Sequence, residues 1–337
     1  MTAHFLRTRS IPTVILCFSV ALAAACNHRP SPPASLANNR PLSLLAALGE
    51  RLAVVDSSDG TAKYLPGRYT EVSRVAVTGG GEVAVVVNGS RDCRTTGGFE
   101  EGSYQPEIDH VGIVTGVRER VVGGSDFPVV NSKAVALVPS IAVADAEALV
   151  AYGIVCDGPG LGFTDMVSGQ NARRPPLGEA GYTSSLPIES VRPLGWLRDG
   201  RTLFYMVSVR TEPYPRYYFG RVWPLVEPGD ELILRVAAMP LSEELPTTAA
   251  LVDDMTIAFA QHAHGGGSQV REWDVRTGRF RDGRLFELPG TITDLATDAS
   301  GRHFLAITRN RHLYRWSAGD ARPVQLAEDV TAAAWIQ

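Results

Sequence analysis

The feature that most constrains this chain is a unit of four short strands that recurs along it. The last full copy is the plainest. Thr291 to Ala296 reads as a strand, and Asp298-Ala299-Ser300-Gly301 as a turn. His303 to Thr308 is a second strand, His312 to Trp316 a third and Pro323 to Leu326 a fourth. Each run is apolar or β-branched and is bounded by Gly, Asp or Pro, which is how strands joined by tight turns are written. The first hairpin recurs upstream. Val191–Leu197 and Thr202–Val207 flank Arg198-Asp199-Gly200, and Leu251-Val252 and Thr256–Gln261 flank Asp253-Asp254. Ala134–Val143 with Leu149–Ile154, and Arg74–Val77 with Glu82–Val87, are two more copies. The five copies lie roughly 45 to 65 residues apart, the period of a repeat architecture.

The ends of the chain supply a sixth unit. Thr331–Ile336 reads as a first strand with nothing after it, whereas Arg51–Asp56 and Thr61–Leu65 read as last strands lacking a start. Leu42–Leu48 is either the missing strand or a short helix. Joining the two ends in one blade removes an open sheet edge, which otherwise invites aggregation. The expectation is therefore an all-β fold, a six-bladed β-propeller over 42–337 closed by N- and C-terminal strands in one blade, with seven blades as the alternative count.

Local motifs agree. Trp316–Trp335, WSAGDARPVQLAEDVTAAAW, resembles the blade junctions of TolB-type six-bladed propellers. Gly195–Arg201 (GWLRDGR) resembles their WSPDGK turn, of which Asp298 and Gly301 keep only part. Val270–Gly278 (VREWDVRTG) is similar to a tryptophan-aspartate repeat strand. The likeness covers most of Pro41–Gln337 and speaks to fold; a propeller serves many functions.

The N-terminus carries an address. Arg7 and Arg9 precede an uncharged run from Ile11 to Ala25, too short to span a bilayer comfortably. Leu22-Ala23-Ala24-Ala25-Cys26 resembles the lipobox of bacterial lipoproteins, with the favoured leucine one place early. That resemblance implies a lipoprotein signal peptide over 1–25, acylation (palmitate-type) of the Cys26 thiol and a bacterial cell membrane location facing the extracytoplasmic side. Residues 26–41, rich in Pro, Ser and Asn, read as a tether. Of the 4 cysteines, Cys17 would leave with the signal peptide and Cys26 would carry lipid, so Cys93 and Cys156 remain. In an exported protein such a pair reads as one disulfide, worth roughly 4 kcal/mol in the loop-entropy picture; two unpaired thiols are the other possibility.

The chain offers interaction surfaces more readily than chemistry. Two segments between second and third strands are long, 88–109 and 210–229, and the second concentrates Tyr214, Arg216, Tyr217, Tyr218, Phe219, Arg221 and Trp223. Tyr, Trp and Arg are the residues that anchor protein interfaces, so all of these except Phe219 are the candidate partner-binding set. The alternative is that they pack down as an extended hairpin. His262 and His264 could present two imidazoles on one side of a strand, but further metal ligands at a useful spacing are missing. Gly158–Gly162 departs from the dinucleotide fingerprint, no G-x-S-x-G or H-E-x-x-H occurs, and no cofactor is implied. A net charge of -4 argues against non-specific nucleic-acid binding. The expected function is a membrane-anchored extracytoplasmic module that binds an envelope protein or a ligand. A hydrolase or lyase with a loop-built site at the channel mouth, and a structural subunit of an envelope complex, are the alternatives.

Overall fold

The computed structural model describes residues 42–69, 71–89, 107–122, 141–144, 149–154, 160–168, 171–174, 188–210, 216–222, 246–263 and 265–336. These form strands and turns, with no helix among the described residues. The chain enters through β1 (Ser43–Leu48), β2 (Arg51–Asp56) and β3 (Ala62–Tyr64). Blade two is β4 (Val72–Val77), β5 (Val83–Asn88), β6 (Glu107–Gly112) and β7 (Arg118–Val122). Blade three is β8 (Ile141–Ala144), β9 (Leu149–Ile154), β10 (Gly160–Asp165) and β11 (Asn171–Arg174). Blade four is β12 (Ile188–Trp196), β13 (Leu203–Val209) and β14 (Arg216–Val222). Blade five is β15 (Pro246–Asp253), β16 (Thr256–His262) and β17 (Ser268–Asp274), edged by the split pair β18 (Arg279–Phe280) and β19 (Phe286–Leu288). Blade six is β20 (Ile292–Thr297), β21 (His303–Thr308), β22 (Leu313–Ser317) and β23 (Val324–Ala327). Then β24 (Val330–Ile336) returns to pair with β1, so the first sheet runs β24-β1-β2-β3.

The six sheets form a six-bladed β-propeller, and the seven-blade count falls away. The segment 42–48 is a strand and not a helix. It pairs with β24 on one side and β2 on the other, from Ser43 opposite Ile336 to Leu48 opposite Arg51. The inner strands β24, β4, β8, β12, β15 and β20 pack side by side in that order and back to β24, which closes the ring.

Blades are buried on both faces because each is pressed between two others. Phe204, Phe219, Phe259 and Trp273 fill the seam between blades four and five, with Phe219 and Trp273 ring centroids 5.1 Å apart. Phe286, Phe304 and Trp316 do the same between blades five and six. Within blades three and four a tyrosine of the second strand lies flat over a glycine of the third. A Cβ on Gly220 would stand 2.3 Å from the ring of Tyr205, and one on Gly162 2.1 Å from that of Tyr152. The glycine is what lets the ring lie against the sheet.

The tryptophan-aspartate strand now has a physical reading. Trp273 is fully buried, and Asp274 accepts a hydrogen bond from the Thr277 amide at 2.8 Å to start the turn. One residue of the strand fills a seam and the next ends the strand. That backbone hydrogen bond also holds the Asp274 carboxyl below its ordinary pKa.

Candidate functional site

Six inner strands leave a bore along the axis, and their register decides what lines it. The hairpins of blades two, four and six turn on Gly81, Gly200 and Gly301, all at φ near +68 (68, 67 and 68). Counting cross-strand pairs back from those turns, the fourth inner-strand residue is Arg74, Arg192 and Asp294 respectively. A bulge between Pro193 and Gly195 absorbs the one extra residue of β12, so Arg192 keeps the same level. Ile141 and Ala333 hold the fourth position in blades three and one. Thr248 is one pair further from the tighter turn of blade five. All six residues line a cavity of about 170 Å³. Charged residues from alternate blades thus meet at one level of the bore.

Among the described residues these charges do not cancel. Arg74 Nη1 donates to Asp294 Oδ2 at 2.6 Å, joining blades two and six across blade one. Arg192 stands on the third alternate blade. Among the described residues no carboxylate lies within ion-pair distance of it, and its buried Nε has no hydrogen-bond acceptor. The residue lines the bore cavity and is only partly exposed. Desolvation lowers the guanidinium pKa below its ordinary value, the Arg74 guanidinium lowers it further, and Tyr217 and Asp294 oppose both.

The bore opens into a wider vestibule of about 480 Å³, whose walls share Leu194, Leu251 and Thr297 with it. The vestibule is built from first-to-second-strand turns, at Arg198 and Gly200, Asp253 and Asp254, and Asp298 and Ala299. Its wall is stitched from blade to blade. Arg198 N donates to Asp254 Oδ1 at 3.0 Å, Arg221 Nη2 to the Asp254 carbonyl at 3.0 Å, and Thr297 Oγ1 to the Leu251 carbonyl at 2.6 Å. A Cβ on Gly301 would meet the Val252 carbonyl at 2.7 Å, so glycine permits blades five and six to close on each other here.

The carboxylates at this mouth serve the turns. Asp298 accepts from the amides of Arg302 and His303 at 3.0 and 2.9 Å, and Asp253 from the amide of Met255 at 2.8 Å. Asp199 shows the motif in full. Its carboxylate accepts from Arg201 N, Thr202 N and Thr202 Oγ1 at 2.9, 2.8 and 2.5 Å. Desolvation would raise its pKa, but these bonds outweigh it and the net shift is downward. The GWLRDGR resemblance is therefore carried by a self-bonded aspartate turn.

Several expected site residues are placed differently. The segment 210–229 is not one long loop, because 216–222 is β14, the third strand of blade four. Tyr217 is buried in the seam with blade five, and Tyr218 packs against the seam with blade three. Arg221 bonds to the turn of blade five, and its guanidinium lies 5.8 Å from the Phe204 ring centroid. Arg216 opens the strand opposite Val209. Tyr214, Trp223, His264, Cys93, Cys156 and Cys26 lie outside the described residues. His262 ends β16 and is exposed, and among the described residues no group of three or more His, Cys, Asp or Glu is gathered for a metal.

No known protein family matches the chain, and no curated protein matches it in sequence. Among solved structures it is similar to TolB from Acinetobacter baumannii, with a TM-score of 0.58 and 15% identity over 88% of this chain and 66% of that one. A fainter likeness is to the tricorn protease, with a TM-score of 0.45 and 13% identity over 85% of this chain and 30% of that one. The TolB likeness is one of fold.

Proposed function

We propose that this chain is a lipid-anchored, extracytoplasmic propeller that binds a partner on its vestibule face. One observation carries the binding reading: exposed apolar side chains stand at the outer turns of two neighbouring blades, two and three. Val114 and Val117 sit on the β6–β7 turn and Val167 on the β10–β11 turn, with 88%, 67% and 86% of their surface exposed. The Ile113 amide donates to the Glu82 carbonyl at 2.9 Å, which ties the β6–β7 turn to the face that carries the first-to-second-strand turns. Valines held at turn tips on neighbouring blades are what a protein partner can desolvate at little ordering cost. The anchoring half of the reading rests on Leu22–Cys26 and the tether that follows.

A binding role is favoured over the loop-built hydrolase because the mouth carboxylates of Asp253, Asp254 and Asp298 already accept hydrogen bonds from backbone amides. Pull-down from detergent-solubilised membranes tests it. Val114→Asp combined with Val167→Asp is expected to cut partner recovery at least tenfold, the effect of about 1.4 kcal/mol of lost contact, while the melting temperature is unchanged. Unchanged recovery overturns the rim as the docking surface. Cys26→Ala is expected to abolish labelling by a fatty-acid probe and to move the protein from the membrane to the soluble fraction. Labelling that persists in that variant overturns the anchor.

A further inference from the structure

Among the described residues, the bore holds two guanidiniums and one carboxylate at a single level. A buried cation without a counter-charge is costly, and proteins do not hold one in an enclosed polar space unless something answers it. Arg74 is answered by Asp294. Arg192 is not, among the described residues, and its Nε faces no acceptor. We propose that the bore is a binding site for a carboxylate monoanion, held by Arg192 and reached through the vestibule.

The chemistry follows from the charge balance and the shape. Among the described residues, two positive groups against one negative leave a single unit charge at the ring, which one monoanion neutralises and a dianion would over-correct. The approach makes the same distinction. Asp253, Asp254 and Asp298 line the vestibule with Arg198 as the cation there, so a multiply charged anion meets repulsion on the way in. Guanidinium offers two parallel N–H donors to a planar carboxylate, and Thr248 contributes a hydroxyl at the level of the ring. The ring holds one planar group and little else at about 170 Å³, whereas the vestibule at about 480 Å³ holds what the carboxylate is attached to. The remaining ring members, Ile141 and Ala333, add no charge. The inference rests on the reading of this chain as a binding module, and it names the ligand class for the centre of that face.

The test uses the full-length protein in detergent and isothermal titration at low salt. The probes are acetate, an alanine tripeptide with a free C-terminal carboxylate, the same tripeptide amidated, and inorganic phosphate. The free-acid tripeptide is expected to bind at least tenfold more tightly than the amidated one and than phosphate. Acetate separates the sources. Binding as tight as the tripeptide assigns the site to small acids, and much weaker binding assigns it to chain ends. Arg192→Met is expected to remove carboxylate binding and to raise the melting temperature of the free protein. Added tripeptide should then raise the melting temperature of the wild type and leave that of the variant unmoved. Equal binding of the free and amidated tripeptides overturns the proposal, as does undiminished binding by Arg192→Met. Either result leaves partner capture by the valine rim standing, because that is read in the pull-down. Unchanged capture by the rim variant with tripeptide binding intact has the opposite meaning: the rim falls and the bore site stands.

Discussion

A chain ending at Asp329 is expected to lose its cooperative thermal transition and to elute as aggregate. The deletion removes β24, the inner strand of blade one, and with it four buried side chains, Val330, Ala332, Ala333 and Trp335. Removing a buried Trp costs about 3–5 kcal/mol and a Val about 1.5–3, so the direct loss alone is comparable to the roughly 5–15 kcal/mol that keeps a domain folded. The indirect loss is larger. β1 keeps only one ladder partner, β4 and β20 lose the strand between them, and Leu44, Ala46 and the rest of the β1 edge face water. An open, apolar, unpaired edge is an aggregation template. Circular dichroism melting with size-exclusion chromatography checks this. A truncated chain that remains monomeric and melts within a few degrees of the full one would show that closure is not what holds the ring.

Trp273→Ala carries the second-largest expected effect. Trp273 has 0% exposure and touches the rings of Phe219 and Phe259, with centroids 5.1 and 6.3 Å away, so it is shared by blades four and five. Truncation opens a cavity in a seam whose two walls belong to different sheets and cannot simply collapse together. The expected cost is about 3–5 kcal/mol, or on the order of a 10 °C fall in melting temperature for a domain of this size. Trp273→Phe is the informative partner. The indole Nε1 is buried with no acceptor, so the phenyl ring keeps most of the aromatic contact and removes an unmet donor. Its cost is expected to stay below about 1.5 kcal/mol. A fall of less than about 3 °C for the alanine variant, measured by calorimetry, would sink the claim that this seam is tightly packed.

What the sequence made legible, and what it hid, follows from where strands lie in a propeller. Turn residues are local, so Asp199-Gly200, Asp298 and Gly301, and the hairpins they terminate, could be read directly. The pairing of the two ends could be inferred because an orphan first strand and an orphan second half complement each other. Strand β14 was obscured for a physical reason. Blades are covered on both sides, so Tyr217 and Phe219 enter one seam while Tyr218 and Val222 meet the other. The run shows no alternation of apolar and polar, and the flanking Pro213, Pro215 and Pro224 dress it as a loop. The candidate site was hidden more deeply. Arg74, Arg192 and Asp294 are more than a hundred positions apart from one another, and each alone is an ordinary charged residue between strand-formers. Only alignment of the hairpins on Gly81, Gly200 and Gly301, with allowance for the bulge in β12, brings them to one level. The vestibule, too, lies among the short turns, whereas sequence length drew attention to the long segments on the other side of the blades.

The pairing of β1 with β24 also sets an order of events in time. Ser43 and Ile336 are neighbours in the ladder, although 293 positions of chain (336 minus 43) separate them. Closing a loop about six times longer than a blade costs only about 1.6 kcal/mol more in chain entropy, so the finished ring is not much penalised for its topology. The rate is another matter, since contacts between distant segments slow folding. While the chain is being made, β1 must wait for β24, with Leu44 and Leu45 not yet covered on that side. Until β24 arrives, that edge of β1 is open to any other unpaired strand.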